Sequence, residues 1–233
     1  MTLKKINGGL VSRKRSALDG IRAAKNAQSQ SELARKLMPQ RMPDHEALVL
    51  LLDSSGSMLG PADNSPHGET KLAAAMASAR ILIENSIQGV TSASVVMFAS
   101  MAQKLIGIEK DLKSVLDALQ TDRIESGSTR MDLGLEAAHE LLKRQTNPVR
   151  RIVLMTDGQS DLPTPTLRLA EQISKEGIVI DTVAFGRDAD HRFLQGLSAY
   201  SKGASKQAMN GKDLRLTFKA LDAVTRGFLS SGD

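Results

Sequence analysis

Residues 47–52 read ALVLLL and stop on Asp53, and no other stretch of the chain limits its fold as strongly. Consecutive side chains of a strand point to opposite faces, so an unbroken apolar run puts hydrocarbon on both. Both faces then need cover. A central strand of a mostly parallel sheet, with helices above and below, provides it.

The rest of the chain continues that pattern. Residues 53–68 hold Gly, Pro, Asn and Ser and read as a loop. Residues 69–87 follow as a helix, with Leu72, Met76, Ala79, Ile83 and Ile87 on one face and alanines allowing close approach to a sheet. TSASVVMF (91–98) and AQKLI (102–106) read as strands close in sequence, hence antiparallel neighbours. A helix is expected over 111–120, a loop over 124–129, and a helix over 131–144 with Leu135, Ala138, Leu141 and Leu142 inward. RIVLM (151–155) is a strand ending on Thr156-Asp157-Gly158. A helix at about 165–176 follows, opened by Pro163 and Pro165 and closed by Gly177. IVIDTVAF (178–185) is a strand, 190–200 a helix, 206–208 a short strand and 213–229 a helix. The expected fold is α/β: a Rossmann-like, doubly wound, mostly parallel sheet with one antiparallel edge strand and helices on both faces.

In such sheets ligands bind beyond the carboxyl ends of the strands, where the strand order reverses. Hard oxygen donors stand at three such places: Asp53-Ser54-Ser55-Gly56-Ser57 after the first strand, Ser126-Gly127-Ser128-Thr129 before helix 131–144, and Asp157-Gly158 after strand 151–155. Alternation turns 53, 55 and 57 inward and leaves 54 and 56 outside, with Gly56 expected to permit the tight turn. Carboxylates and hydroxyls without sulfur or imidazole suit a small hard cation, Mg²⁺ first, then Mn²⁺ or Ca²⁺. Two carboxylates balance a divalent ion, so it stays electrophilic and takes water or an outside carboxylate. Helix N-termini at this end also favour an incoming anion.

D-S-S-G-S after an apolar strand, S-G-S-T before a helix and L-M-T-D-G after a later strand together resemble the metal-ion-dependent adhesion site (MIDAS) of von Willebrand factor type A (VWA) domains. The resemblance covers about 180 residues and all three motif segments. It implies that Asp53, Ser55, Ser57, Thr129 and Asp157 form the site. Ser55, Ser57 and often Thr129 would touch the metal directly, the aspartates directly or through water. It also implies a noncatalytic module that grips a partner's Asp or Glu. One departure is the rim loop MLGPADNSPHG (58–68), long and Pro-rich. Asp132 and Asp161 read as solvated or capping residues, Arg130 as a surface arginine, and Met58 and Met101 as packing residues. His67 lies in the rim loop, and the other histidines are dispersed.

Charge divides the chain. Residues 1–42 carry ten Lys/Arg and two acids, net +8, while all 233 residues carry +5; residues 43–233 are therefore at −3. The expected organisation is a basic, partly helical extension over 1–44, with helical spacing in 13–38, and the VWA domain over 45–233. The extension could dock on a partner; it has no aromatic residue to stack on bases and no nucleic-acid motif. There is no cysteine, which excludes disulfides, thiolate metal sites and a Cys nucleophile and fits a reducing compartment. No apolar run approaches the length of a membrane helix, so a cytoplasmic protein is expected, and the resemblance implies a prokaryotic one.

The enzymatic alternative is a Mg²⁺-dependent phosphatase or hydrolase resembling the haloacid dehalogenase superfamily, which also places an Asp after a buried strand. Its phosphatases carry a second Asp two residues later, where this chain has Ser55. No P-loop exists, since Gly211-Lys212 is followed by Asp213; nor is there a G-x-S-x-G elbow or a dinucleotide fingerprint. Intracellular VWA proteins of similar type work with AAA+ ATPases of the MoxR type or with kinase–phosphatase pairs in stress and defence systems. The resemblance makes those the expected partner classes.

Overall fold

The computed structural model describes residues 45–63, 68–86, 90–120 and 127–218. The helical spacing read in 13–38, His67 and Ile87 lie outside them, as does the part of helix 213–229 beyond residue 218.

Strands β1 (Glu46–Asp53), β2 (Thr91–Phe98), β3 (Ala102–Glu109), β4 (Val149–Thr156), β5 (Ile178–Phe185) and β6 (Ser205–Ala208) form one sheet in the order β3-β2-β1-β4-β5-β6. All neighbours are parallel except β2 and β3. The fold is thus the expected Rossmann-like α/β sheet with one antiparallel edge strand. The helices are α1 (Lys71–Asn85), α2 (Leu112–Ala118), α3 (Met131–Leu142), α4 (Pro163–Lys175) and α5 (His191–Tyr200); residues 211–218 are also helical.

Every residue of β1 is buried, and its side chains split by parity as a two-sided strand requires. Leu48, Leu50 and Leu52 enter one core with Leu72, Ala75, Ala79 and Leu82 of α1, Leu112 and Val115 of α2, and Leu214 and Phe218. Ala47, Val49 and Leu51 enter the other with Met131, Leu135 and Ala138 of α3, Ile173 of α4 and Leu194 of α5. Met76 and Leu141, read as inward, are only partly buried beside these cores.

The chain leaves β1 toward β2 on one side and later enters β4 on the other, so strand order reverses between β1 and β4. Asp53 ends β1 and Thr156 ends β4, which brings the two acidic loops side by side.

Helix α3 approaches β2 closely at Gly134. A methyl placed there would lie 2.9 Å from Phe98 Cγ, and Phe98 is wholly buried. Gly134→Val should therefore overpack this contact and destabilise the fold by about 1–3 kcal/mol, read as a lower Tm. An unchanged Tm would show that α3 can move off the sheet freely.

Candidate metal centre

The loop after β1 is built by hydrogen bonds that each follow from a residue at the strand end. Ser54 N–H continues the strand pairing to Phe98 O at 2.8 Å, and its hydroxyl donates to the same oxygen. That commits Ser54 away from the loop, as alternation predicts. Ser55 N–H donates to Asp53 Oδ1 at 2.8 Å, a local Asx contact that turns the chain. A 3-10 turn over Gly56–Leu59 follows and buries Met58 completely. Gly56 has a non-positive φ and nothing within 4 Å of its Cβ position, so the turn does not depend on its being glycine. That corrects the sequence reading. Its N–H instead reaches Gly127 O at 3.3 Å, tying this loop to the segment before α3.

Gly127 is the glycine the site requires. A Cβ there would lie 2.1 Å from Ser100 Oγ, which in turn accepts the Ser128 N–H at 3.1 Å. Thr129 is then fixed from both sides: its N–H donates to Asp161 Oδ2 at 3.0 Å, and its carbonyl accepts the Asp161 N–H at 3.1 Å. A methyl at Gly158 would lie 3.5 Å from Thr129 Oγ1, so this hydroxyl sits against the turn that carries Asp157.

Four of the five residues singled out from sequence, Asp53, Ser55, Ser57 and Asp157, are joined by hydrogen bonds, and Thr129 lies beside them against Gly158. Ser55 Oγ lies 3.1 Å from Ser57 Oγ. Ser57 Oγ donates to Asp157 Oδ1 at 2.7 Å, across 100 residues of sequence. Thr156 hydroxyl donates to Asp53 Oδ2 and accepts the Gly158 N–H at 3.0 Å, joining the ends of β1 and β4. Burial pushes the Asp53 carboxyl up to about 6, partly offset by its hydrogen bonds from Thr156 and Ser55.

Three contributors were not legible in advance. Thr156 holds Asp53, Asp161 holds the backbone of Thr129, and Lys71 Nζ pairs with Asp157 Oδ2 at 2.6 Å. Thr156 sits within the T-D-G segment that drew attention to β4, but nothing local says that it bonds Asp53. Asp161 is a positioning residue rather than a freely solvated acid. Arg130 and Asp132 form a two-pronged pair at 2.9 and 2.7 Å. Met101 is 67% exposed rather than packed, because it sits in the tight turn between β2 and β3.

The long rim loop is closed at its base. Pro61 bridges Thr70, Ala62 N–H donates to Glu69 O, and Lys71 N–H donates to Gly60 O.

The donor set is hydroxyl-rich. Among the described residues no three His, Cys, Asp or Glu side chains gather as a metal cage, so any cation held here relies on Ser and Thr oxygens. Neutral hydroxyls beside two carboxylates match the demands of a small hard divalent ion. The residues present therefore fit the metal that the sequence suggests.

A buried open sheet with polar loops converging at its switch point defines a Rossmann-like α/β domain. Residues 48–159 match the family model described as the von Willebrand factor type A domain, a span that contains every candidate residue. Over those residues the chain matches the VWA family. Among solved structures it is similar to a conserved hypothetical protein, BatB, from Bacteroides thetaiotaomicron, at 16% identity and a TM-score of 0.68, covering 79% of this chain and 99% of that one. It is also similar to a von Willebrand factor type A protein from Catenulispora acidiphila, at 20% identity and 0.66, covering 77% and 42%. A third is proximal thread matrix protein 1 from the mussel byssus with a zinc-occupied MIDAS motif, at 18% identity and 0.66, covering 78% and 46%. No curated protein sequence matches the chain. Among the described residues no helix is long and apolar enough to cross a membrane.

Proposed function

We propose that this chain is a noncatalytic, metal-dependent protein-interaction module. Asp53, Ser55, Ser57, Thr129 and Asp157 would hold one divalent cation, Mg²⁺ or Mn²⁺ before Ca²⁺, and a partner's Asp or Glu would complete its coordination. The observation that carries the reading is the Ser55–Ser57–Asp157 contact chain, anchored on Asp53 through the Ser55 N–H and the Thr156 hydroxyl. The zinc-occupied MIDAS of the mussel protein supports a divalent ion at such a site. When bound, the cation supplies a positive charge that an external carboxylate can complete. The protein's part is to pre-set the hydroxyls, hold Asp53 dry, and present the open side of the loops.

The rim supports a protein partner. Leu59, Met101 and Leu162 are exposed apolar side chains in or beside three of the loops at this end of the sheet. An acidic residue flanked by apolar side chains would satisfy both the cation and this rim. Ser55 stands where a haloacid-dehalogenase-type phosphatase has its second Asp, and a hydroxyl shared with Ser57 offers no general acid.

We place residues 45–233 in the VWA domain and 1–44 in a basic extension that serves as a second contact. The absence of cysteine supports an intracellular, reducing setting. MoxR-type AAA+ ATPases and kinase–phosphatase pairs are the partner classes to test first. Capture from the native cell with and without chelator tests this reading. A partner retained only with divalent cation supports it; turnover of a phosphate ester that depends on Asp53 would replace it with the hydrolase.

The raised Asp53 carboxyl gives a pH test. Its folded value of about 6 exceeds the ordinary 3.8, so the metal-free fold gains from protonating it at low pH and loses that gain as pH rises through about 6. A cation requires the deprotonated form. The Tm increment from Mn²⁺ should therefore be large at pH 7.5 and shrink as pH falls through about 6. An increment constant from pH 7.5 to 5 would count against Asp53 as part of the donor set.

A further inference from the structure

Asp157 divides its two oxygens between opposite neighbours. Oδ1 accepts the Ser57 hydroxyl at 2.7 Å, within the donor set. Oδ2 accepts the Lys71 ammonium at 2.6 Å. The Asp157 side chain is 1% exposed and that of Lys71 19%, so this pair is far less screened by water than a surface ion pair.

Lys71 is also fixed at its backbone. It is the first residue of α1, directly after Thr70, whose hydroxyl caps the helix by accepting the Ala73 N–H at 3.1 Å. Its own N–H donates to Gly60 O at 2.9 Å, just beyond the 3-10 turn that carries Ser57. Its ammonium passes beside Gly186 at the end of β5, where an added Cβ would lie 3.9 Å from Nζ. The positive charge is therefore built into the site, reached from a different element than any of the five donors.

We propose that Lys71 is a resident counter-charge of the metal centre, which weakens its hold on a divalent cation alone and makes that hold depend on an incoming carboxylate. The inference rests on the metal-site reading above. Asp53 and Asp157 offer two negative charges, and Lys71 offsets one. With a divalent ion in place, these three side chains and the ion sum to one positive charge, which a single external carboxylate cancels. Arg130 is committed to Asp132 and Asp161 to the Thr129 backbone, and neither contact involves Lys71. Removing the Lys71 charge shifts the total by one unit whatever the neighbours contribute. The cation must then bind more tightly, and the outside anion must gain less from joining it.

A purely orienting lysine would give the opposite sign, since its loss would loosen Asp157 and weaken the metal. Ser57 still holds Oδ1 in either case. The two roles are thus separable by experiment.

The test is Mn²⁺ titration, followed by electron paramagnetic resonance of the free ion, on the full chain and on Lys71→Met and Lys71→Arg. Each titration is run in chloride and in acetate at equal ionic strength. Lys71→Met keeps most of the stem and should bind Mn²⁺ roughly tenfold or more tightly in chloride, the size expected of one partly screened charge a few ångströms away. Lys71→Arg should stay near wild type. Acetate should raise the Mn²⁺ affinity of the wild type more than that of Lys71→Met. Equal or weaker Mn²⁺ binding by a folded Lys71→Met, with wild-type binding present, overturns the inference and leaves the metal site standing. Absence of Mn²⁺ binding by all three proteins overturns the metal site and the inference with it.

Discussion

Asp157→Ala should abolish the stabilisation that Mn²⁺ confers on the wild type. At a concentration of a hundred times its Kd, a ligand that binds only the folded state stabilises it by about 2.7 kcal/mol. For a chain of this size that corresponds to a rise in Tm of roughly 5–10 °C. The substitution removes the acceptor of Ser57 Oγ and frees Lys71 Nζ from its partner. The site loses a negative charge and keeps a positive one, so both changes act against a cation. Because Lys71 is partly exposed, its released ammonium can turn to solvent, and the metal-free fold should survive with a near-normal Tm. Asp53→Ala should also lose the Mn²⁺ response. It should lower the metal-free Tm more, because Ser55 N–H and the Thr156 hydroxyl both donate to Asp53 inside the protein. Thermal unfolding of the three proteins with Mn²⁺ and with chelator decides the matter. A full Mn²⁺ increment in folded Asp157→Ala would remove Asp157 from the site.

The loss of response would matter because Asp157 was identifiable in the sequence, from its place just beyond a strand together with the motif resemblance that joins it to the other two segments. The positions of β2 and β5 agree residue for residue with the apolar segments 91–98 and 178–185. A buried strand declares its limits by where its hydrocarbon stops. The antiparallel edge strand β3 runs on to Glu109, three residues past the apolar segment 102–106. That extension is made by pairing with β2 across a shift in register between Ala93 and Val95, which local composition does not encode. The candidate donors were legible for the same reason as the strands: each is a hard oxygen just beyond a strand or before a helix. Lys71 and Asp161 were not, because their roles rest on partners 86 and 32 residues away. A lysine opening a helix and an aspartate in a loop look alike whether they serve a site or face water. Gly56 shows the converse. It looked conformationally necessary in the motif, yet the backbone there makes no use of its freedom, while Gly127 does.

At the opposite end of β1 and β4, Arg151→Met should destabilise the fold by about 3–5 kcal/mol, the largest loss expected of any single substitution considered for this chain. Arg151 is buried on β4, between Glu46 of β1 and Asp181 of β5. Its Nε donates to Asp181 Oδ2, and its Nη1 lies 3.7 Å from Glu46 Oε1. The carboxylates are anchored in turn: Thr91 Oγ1 donates to Glu46 Oε2 at 3.1 Å, and Ala204 N–H donates to Asp181 Oδ1 at 2.6 Å. Charges taken this far from water persist only while their partners are present. Methionine fills much of the arginine's volume, so the loss would come from two buried carboxylates stripped of their cation rather than from a void. The triple variant Arg151→Met, Glu46→Gln, Asp181→Asn separates these causes. It keeps acceptors for Thr91 and Ala204 while removing the charges, and it should recover a large part of the loss. Chemical denaturation of the single and triple variants would measure both steps. If Arg151→Met cost less than about 1 kcal/mol, the scale of a surface ion pair, water would have to reach this network. The strand ends facing away from the candidate metal centre would then be far more open than their burial indicates.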